Sequence, residues 1–87
     1  MADLHLPTTL TALFDDLPHR LDVDAGTVAE AIEKLEGDWP GLRDRLCRPG
    51  PVLHRHIHVY VDRERSTLDA PLGPRSRVDI IAAISGG

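Results

Sequence analysis

The stretch from Thr27 to Gly37 is the feature that most limits what this chain can fold into. Thr27-Val28-Ala29-Glu30 has the spacing of a capping box. In that motif the Thr27 hydroxyl accepts from the backbone N–H of Glu30, and the Glu30 carboxylate reaches back to the N–H of Thr27. Val28, Ile32 and Leu35 follow at i, i+4 and i+7, one apolar stripe on a helix, and Gly37 stands where a left-handed residue would stop it. A single striped helix must bury its apolar side against something broad. The other helical stretch is shorter: it opens at Pro40, carries Leu42 and Leu46 one turn apart, and ends at Gly50-Pro51. The main helix therefore needs a sheet beneath it.

The flanking sequence supplies that sheet. Arg20-Leu21-Asp22-Val23-Asp24 alternates with period two, the mark of a strand with one buried face. Leu4-His5-Leu6 alternates over a shorter span before Pro7 breaks it. Leu10, Ala12, Leu13 and Phe14 then read as an apolar turn of helix or loop ending near Asp15-Asp16. The two strands form an N-terminal hairpin. From Arg55 to Asp62, Ile57, Val59 and Val61 share one face while His56, His58, Tyr60 and Asp62 share the other. Asp62 to Arg65 reads as a turn, and Leu68 to Gly73 as a connector, because Pro71 would spoil a central strand. Arg77 to Ile84 is a β-branched run with Val78, Ile80 and Ala82 toward the core. Hairpin, helix, strand, connector and strand in that order predict a two-layer α+β domain. It is expected to span residues 1–87 as one unit, with a flexible C-terminal tail over 85–87.

Composition removes several classes of function. A chain of 87 residues supports one domain. One Phe, one Tyr and one Trp leave little for an aromatic base-stacking platform, and a net charge of −4 lacks the basic footprint of a nucleic-acid binder. No apolar run approaches the ~20 residues of a membrane helix, and no basic-then-apolar leader opens the chain. The single cysteine, Cys47, cannot form an internal disulfide and suits a reducing cytosol, so a cytoplasmic location is expected.

The C-terminal pair Gly86-Gly87 points to chemistry. A terminal glycine pair arises by chance in about one chain in 200, which makes a tail without a role the competing interpretation. Position argues against it, since the pair follows a core strand directly. Without a Cβ, such a tail threads a slot too narrow for other residues. Ordering it costs about 1–2 kcal/mol of backbone entropy per residue, a cost that a purely structural tail has no reason to carry.

In order and spacing, Ala25-Gly26-Thr27-Val28-Ala29-Glu30-Ala31, Val59-Tyr60-Val61, Leu68-Asp69-Ala70-Pro71-Leu72 and the run from Ile80 to Ile84-Ser85-Gly86-Gly87 resemble the MoaD/ThiS family of ubiquitin-like sulfur carriers over nearly the whole chain. The resemblance implies a β-grasp fold, a mixed sheet of four to five strands with one main helix on one face. It also implies that Gly87 is the acyl-adenylate and thiocarboxylate site, with Gly86 beside it. A ubiquitin-activating-like adenylyltransferase and sulfurtransferase would supply ATP, and a downstream synthase would accept the sulfur. Two turns depart from the family's habit: Asp62-Arg63-Glu64 replaces an Asn-Gly type turn, and Gly73-Pro74-Arg75-Ser76 replaces an Asp-Gly-Asp turn. Both bear on loop conformation and partner contacts. The long stretch from Gly37 to Arg55 resembles cysteine-synthesis (CysO-like) members first and the molybdopterin-synthase small subunit next. Other readings are a protein modifier joining Gly87 to a lysine, or an interaction module without terminal chemistry.

No cofactor site within the chain is expected. Its glycines form neither a phosphate-binding loop nor a dinucleotide fingerprint, and its one lysine is Lys34 on the helix. It is expected to be a co-substrate and not an enzyme, binding neither cofactor nor metal. Ile81 should point away from the helix and meet partners, although packing with Leu4 or Leu68 is an equal alternative. Ala83, Ile84 and Ser85 would line the way into the partner's slot. His54, His56 and His58 would share a polar strand face, short of the four ligands of a closed zinc site. Cys47 has Arg43, Arg45 and Arg48 nearby to lower its pKa, yet the expected chemistry belongs to the terminus.

Overall fold

Hydrophobic periodicity places the main elements, and the differences lie at their ends and in three short strands that it does not mark. A computed structural model describes residues 1–82. The chain runs β1 (Ala2–His5), α1 (Thr8–Thr11), β2 (Arg20–Val23), α2 (Val28–Asp38), α3 (Leu42–Leu46), β3 (Cys47–Arg48), β4 (Val52–Leu53), β5 (Ile57–Val61), β6 (Glu64–Ser66) and β7 (Arg77–Ala82). Five strands make one mixed sheet in the order β2-β1-β7-β5-β6, and β3 with β4 makes a separate small hairpin. β7 is central, parallel to β1 and antiparallel to β5. This is the β-grasp architecture.

The helix stripe sits on the sheet as expected. Val28, Ile32 and Leu35 are buried together with Ala31, against Leu4, Val59, Val78 and Ile80 from the strands. Thr27 caps the helix by accepting from Glu30 N–H at 3.1 Å. The reciprocal half differs from expectation: the Glu30 carboxylate accepts from Gly26 N–H at 3.2 Å, one residue earlier than the motif prescribes. Thr27 instead bridges to Pro71, and the connector satisfies two open donors at the helix start: Val28 N–H donates to Ala70 O and Ala29 N–H to Leu68 O. Thr27→Ala is therefore expected to cost about 1 kcal/mol, measured by urea unfolding, because only one of these bonds is lost.

Gly37 does not end α2. The helix continues to Asp38, with Trp39 N–H donating to Leu35 O at 2.8 Å and the Trp39 indole N–H donating to Asp15 O at 3.0 Å. That tertiary anchor outweighs the roughly 1 kcal/mol that glycine costs in a helix interior. The reversal falls at Gly41, whose φ of 97° favours glycine, and α3 starts after it at Leu42 instead of at Pro40. Gly41 has no side chain with which to cap α3. Glu36 serves instead, accepting from Gly41 N–H at 3.0 Å and Arg43 N–H at 2.8 Å.

Those bonds, Gly41 first and Arg43 second, hold the Glu36 carboxyl below its ordinary value of 4.5. A lowered folded-state pKa means that this contribution is complete above the unfolded value and is lost as pH falls through the folded one. Glu36→Gln should unfold more easily than wild type at neutral pH, and the gap should narrow as pH falls below the ordinary value of 4.5 in pH-dependent urea titrations.

Two pieces of β-structure exceed the sequence reading. Asp62-Arg63 is a two-residue turn, both residues at positive φ, with Val61 opposite Glu64, so β6 begins where a turn was expected. The strain of non-glycine residues there is offset by bonds to β7: Asp62 N–H donates to Arg77 O at 2.8 Å, and Arg77 N–H donates to Asp62 Oδ1 at 2.9 Å. The β3–β4 hairpin, too short to show periodicity, occupies the stretch expected to be only the close of the second helix.

Candidate functional site

The site is built around the C-terminal end of β7. Pairing on both sides holds this strand in place, with His5 beside Asp79 on one flank and His58 and Ile57 beside Ile81 and Ala82 on the other. Its alternation is strict: Val78 and Ile80 are buried and Ala82 is half-buried toward the helix side. The central strand is thus a fixed base leading to the segment that carries the expected chemistry. The expected reactive residues Gly86 and Gly87, and the expected slot residues Ala83, Ile84 and Ser85, lie outside the described residues.

Ile81 is 44% exposed on the face away from α2. The alternative of packing with Leu4 or Leu68 is closed, because both of those residues lie in the main core under the helix. Around Ile81 the open face is mainly ionic. Arg77 grips Asp79 through Nε and Nη2 at 3.0 Å, and Asp3 accepts from Arg20 Nε at 2.9 Å with His5 at 3.0 Å on its other oxygen. The Arg20 hydrogen bond, and then that of His5, hold the Asp3 carboxyl below its ordinary range. Tyr60, Arg63, Arg77, Asp79 and Ile81 together line a shallow depression. The neighbours of Ile81 were legible only as a class: Arg77, Asp79 and Ile81 alternate in sequence, but Tyr60 and Arg63 join them through sheet register.

On the helix side, Ala82 forms part of the wall of a groove of about 410 Å³ with Leu10, Leu13, Leu46 and Ile57. Leu13 is 53% exposed there. Nothing local in the sequence marks this groove, since its walls come from four separate segments.

The side chains considered for other chemistry fall differently from expectation. β5 begins at Ile57, so His54 and His56 precede the strand and do not share its face with His58. Their rings stack at 5.8 Å, His54 Nε2 bonds to Asp44 O, and His58 Nδ1 accepts from Arg65. Among the described residues no group of three His, Cys, Asp or Glu could hold a metal. Cys47 is buried, and burial pushes its thiol above the ordinary range; the charge of Arg43 pulls it down by less. The expected lowering by arginines is therefore overturned, and a buried neutral thiol is a poor relay. No helix among the described residues is long and apolar enough to cross a membrane.

Comparison with known proteins places this geometry in context. The profile described as the ThiS family matches residues 8–87. Among solved structures, a chain of the Amycolatopsis orientalis BexX/CysO complex is similar at 27% identity and a TM-score of 0.88, covering all of both chains. Small archaeal modifier protein 1 from Haloferax volcanii is similar at 26% identity and a TM-score of 0.76, covering 99% of this chain and 98% of its own. Mycobacterium tuberculosis CysO, at 23% identity and a TM-score of 0.83, covers 97% of this chain and 100% of its own, and shares the fold. No curated protein matches significantly by sequence.

Proposed function

The chain belongs to the ThiS family of ubiquitin-like sulfur carriers, and on that premise we propose that Gly87 is its reactive end, carrying sulfur as a thiocarboxylate. One observation supports this most directly: the family match runs to residue 87, so it includes the glycine pair that follows the central strand. A carboxylate is a poor electrophile, so its oxygen must first become a leaving group. ATP supplies it: the Gly87 carboxylate attacks the α-phosphorus, an acyl-AMP forms and pyrophosphate departs. Hydrosulfide, or a sulfur donor at the same oxidation level, then adds to the acyl carbon. The C–O bond to AMP breaks, AMP leaves with the electron pair, and a thiocarboxylate and a proton remain.

In this reading the chain is a cytoplasmic co-substrate. A ubiquitin-activating-like adenylyltransferase and sulfurtransferase binds the ATP, Gly86 and Gly87 enter its slot with Ser85, and Ile84 and Ala83 contact the rim. A downstream synthase takes the sulfur. Cysteine-type synthesis is the favoured destination, supported by the likeness to a chain of the BexX/CysO complex over its full length. The likeness to a small archaeal modifier protein supports a second reading, in which the same acyl-adenylate is passed to a lysine amine as an isopeptide.

Intact mass spectrometry tests the first reading. Incubation with the activating enzyme, ATP and sulfide should add about 16 Da, one sulfur in place of one oxygen. A full-length sample that stays at its encoded mass sinks the proposal; ladders of adducts on other proteins in extract favour the modifier reading.

Ile81 gives a second expected outcome. As an exposed branched residue within an ionic face, it is a natural contact for the activating enzyme. Ile81→Asp should raise KM for the carrier about tenfold with kcat little changed, as expected for a lost interface anchor. Steady-state pyrophosphate release measures both constants.

A further inference from the structure

The chain is divided in charge. From Trp39 to Ser66, six arginines (Arg43, Arg45, Arg48, Arg55, Arg63, Arg65) stand against three acids (Asp44, Asp62, Glu64), although the whole chain carries −4. The fold gathers part of this excess at one edge of the sheet. β6 pairs with Val59–Val61 and ends at Ser66, so the first two residues of β5 have no strand on that side. A depression of about 320 Å³ opens there, with Arg55, Arg65, His54, His58, Ser66 and Thr67 on its walls and no carboxylate side chain among its lining residues.

The donors in it are partly set in place. Arg65 Nη2 donates to His58 Nδ1 at 2.8 Å, which puts the proton of the neutral ring on Nε2 and leaves the other guanidinium N–H groups available. His54 is held by its bond to Asp44 O and its stack on His56. Ser66 Oγ already donates to Glu64 O, so the Thr67 hydroxyl is the freer donor. Arg20, Arg43 and Arg77 are each paired with a carboxylate, and among the described residues the other six arginines are not; of those six, Arg55 and Arg65 are the two that line one depression together. Two guanidinium groups without a carboxylate partner, with imidazole and hydroxyl donors in one concavity, suit the charge and the donor needs of a tetrahedral oxyanion.

We propose that this depression at the β5–β6 edge binds a phosphate-class oxyanion, with Arg65 and Arg55 as the principal ligands and His58 Nε2–H and the Thr67 hydroxyl as further donors. The same chemistry takes free phosphate or the phosphate of a nucleotide. It goes beyond the carrier reading and does not depend on Gly87.

Titration of the full chain, in its plain carboxylate form and at constant ionic strength, tests the site by NMR. Three probes are used separately: sodium phosphate, AMP and sodium acetate. Phosphate, AMP or both should produce saturable shifts at the Arg65, Ser66 and Thr67 amides and the His58 ring, while acetate should not. Equal affinity for phosphate and AMP assigns a free-oxyanion site, and about tenfold tighter AMP binding assigns a nucleotide-borne phosphate; either supports the proposal. Arg65→Gln and, independently, Arg55→Gln should each weaken binding about tenfold or more, as loss of a charge-assisted contact requires, with Arg75→Gln as an unaffected control. An unchanged amide spectrum away from the edge shows that the variants fold. Shifts that grow linearly without saturating, that acetate reproduces, or that survive both edge variants overturn the assignment.

Discussion

Adding one alanine after Gly87 is expected to abolish sulfur loading while leaving unfolding by urea unchanged. The physical argument is distance. An extra residue moves the carboxylate about 3.5 Å along the tail, and misplacement of a reacting group by even about 1 Å can cost 100-fold in rate. The addition also puts a Cβ where a slot suited to glycine has no room for one. The gain of about 16 Da should therefore fall below detection, at least 100-fold under wild type at equal enzyme. Gly87→Ala should fall in the same direction by a smaller factor, because the carboxylate keeps its reach and only the methyl group is new. Stability should stay within about 0.5 kcal/mol for both, as for substitutions remote from the core. The pairing of outcomes separates the readings. A modifier would lose isopeptide formation together with sulfur loading, since both pass through the acyl-adenylate, whereas an interaction module without terminal chemistry would show no change in any assay of binding.

How much of this was legible in advance depends on which residues carry the signal. The stripe Val28, Ile32, Leu35 and the alternation of Ile57, Val59, Val61 and of Val78, Ile80 place α2, β5 and β7 on the right faces, because a buried face imposes its period on the sequence directly. Where a tertiary bond decides, the residues give less away. Gly37 reads as a stop, but the Trp39 indole bonded to Asp15 O carries α2 past it. Asp62-Arg63 lacks the glycine that usually marks a two-residue hairpin turn, and the contacts that hold it come from Arg77, far along the chain. The same division applies to the candidate site. Ile81 could be placed on the open face by counting, and it is exposed there. The depression at the β5–β6 edge joins His54, Arg55 and His58 to residues 65–67, and the pairing of Tyr60 with Arg65 brings His58 and Arg65 together.

The largest effect on stability is expected at Leu4. Its neighbours are set by register: Leu21 faces it from β2 and Val78 from β7, all on the side covered by α2. Leu4 is fully buried. It lies on the strand that ties the N-terminal hairpin to the central strand, so neither side can collapse inward without breaking a ladder. A cavity there should stay open, and truncation of a buried leucine with little relaxation costs about 3–5 kcal/mol. A domain of this length has on the order of 4–13 kcal/mol in total, at about 0.05–0.15 kcal/mol per residue, so the change removes a large share of it. At about 1 kcal/mol per molar of urea, Leu4→Ala should lower the unfolding midpoint by roughly 3 M, with the slope preserved if unfolding remains two-state. Leu13→Ala is the matched control, the same chemical deletion at a side chain that is 53% exposed, and should move stability by no more than about 0.5 kcal/mol. Equal losses in the two variants would mean that the sheet does not hold Leu4 between Leu21 and Val78. Because Leu4 also flanks the strand that leads to the reactive end, Leu4→Ala should load sulfur normally at a temperature where it is folded, and lose loading in parallel with its fraction unfolded as urea is raised.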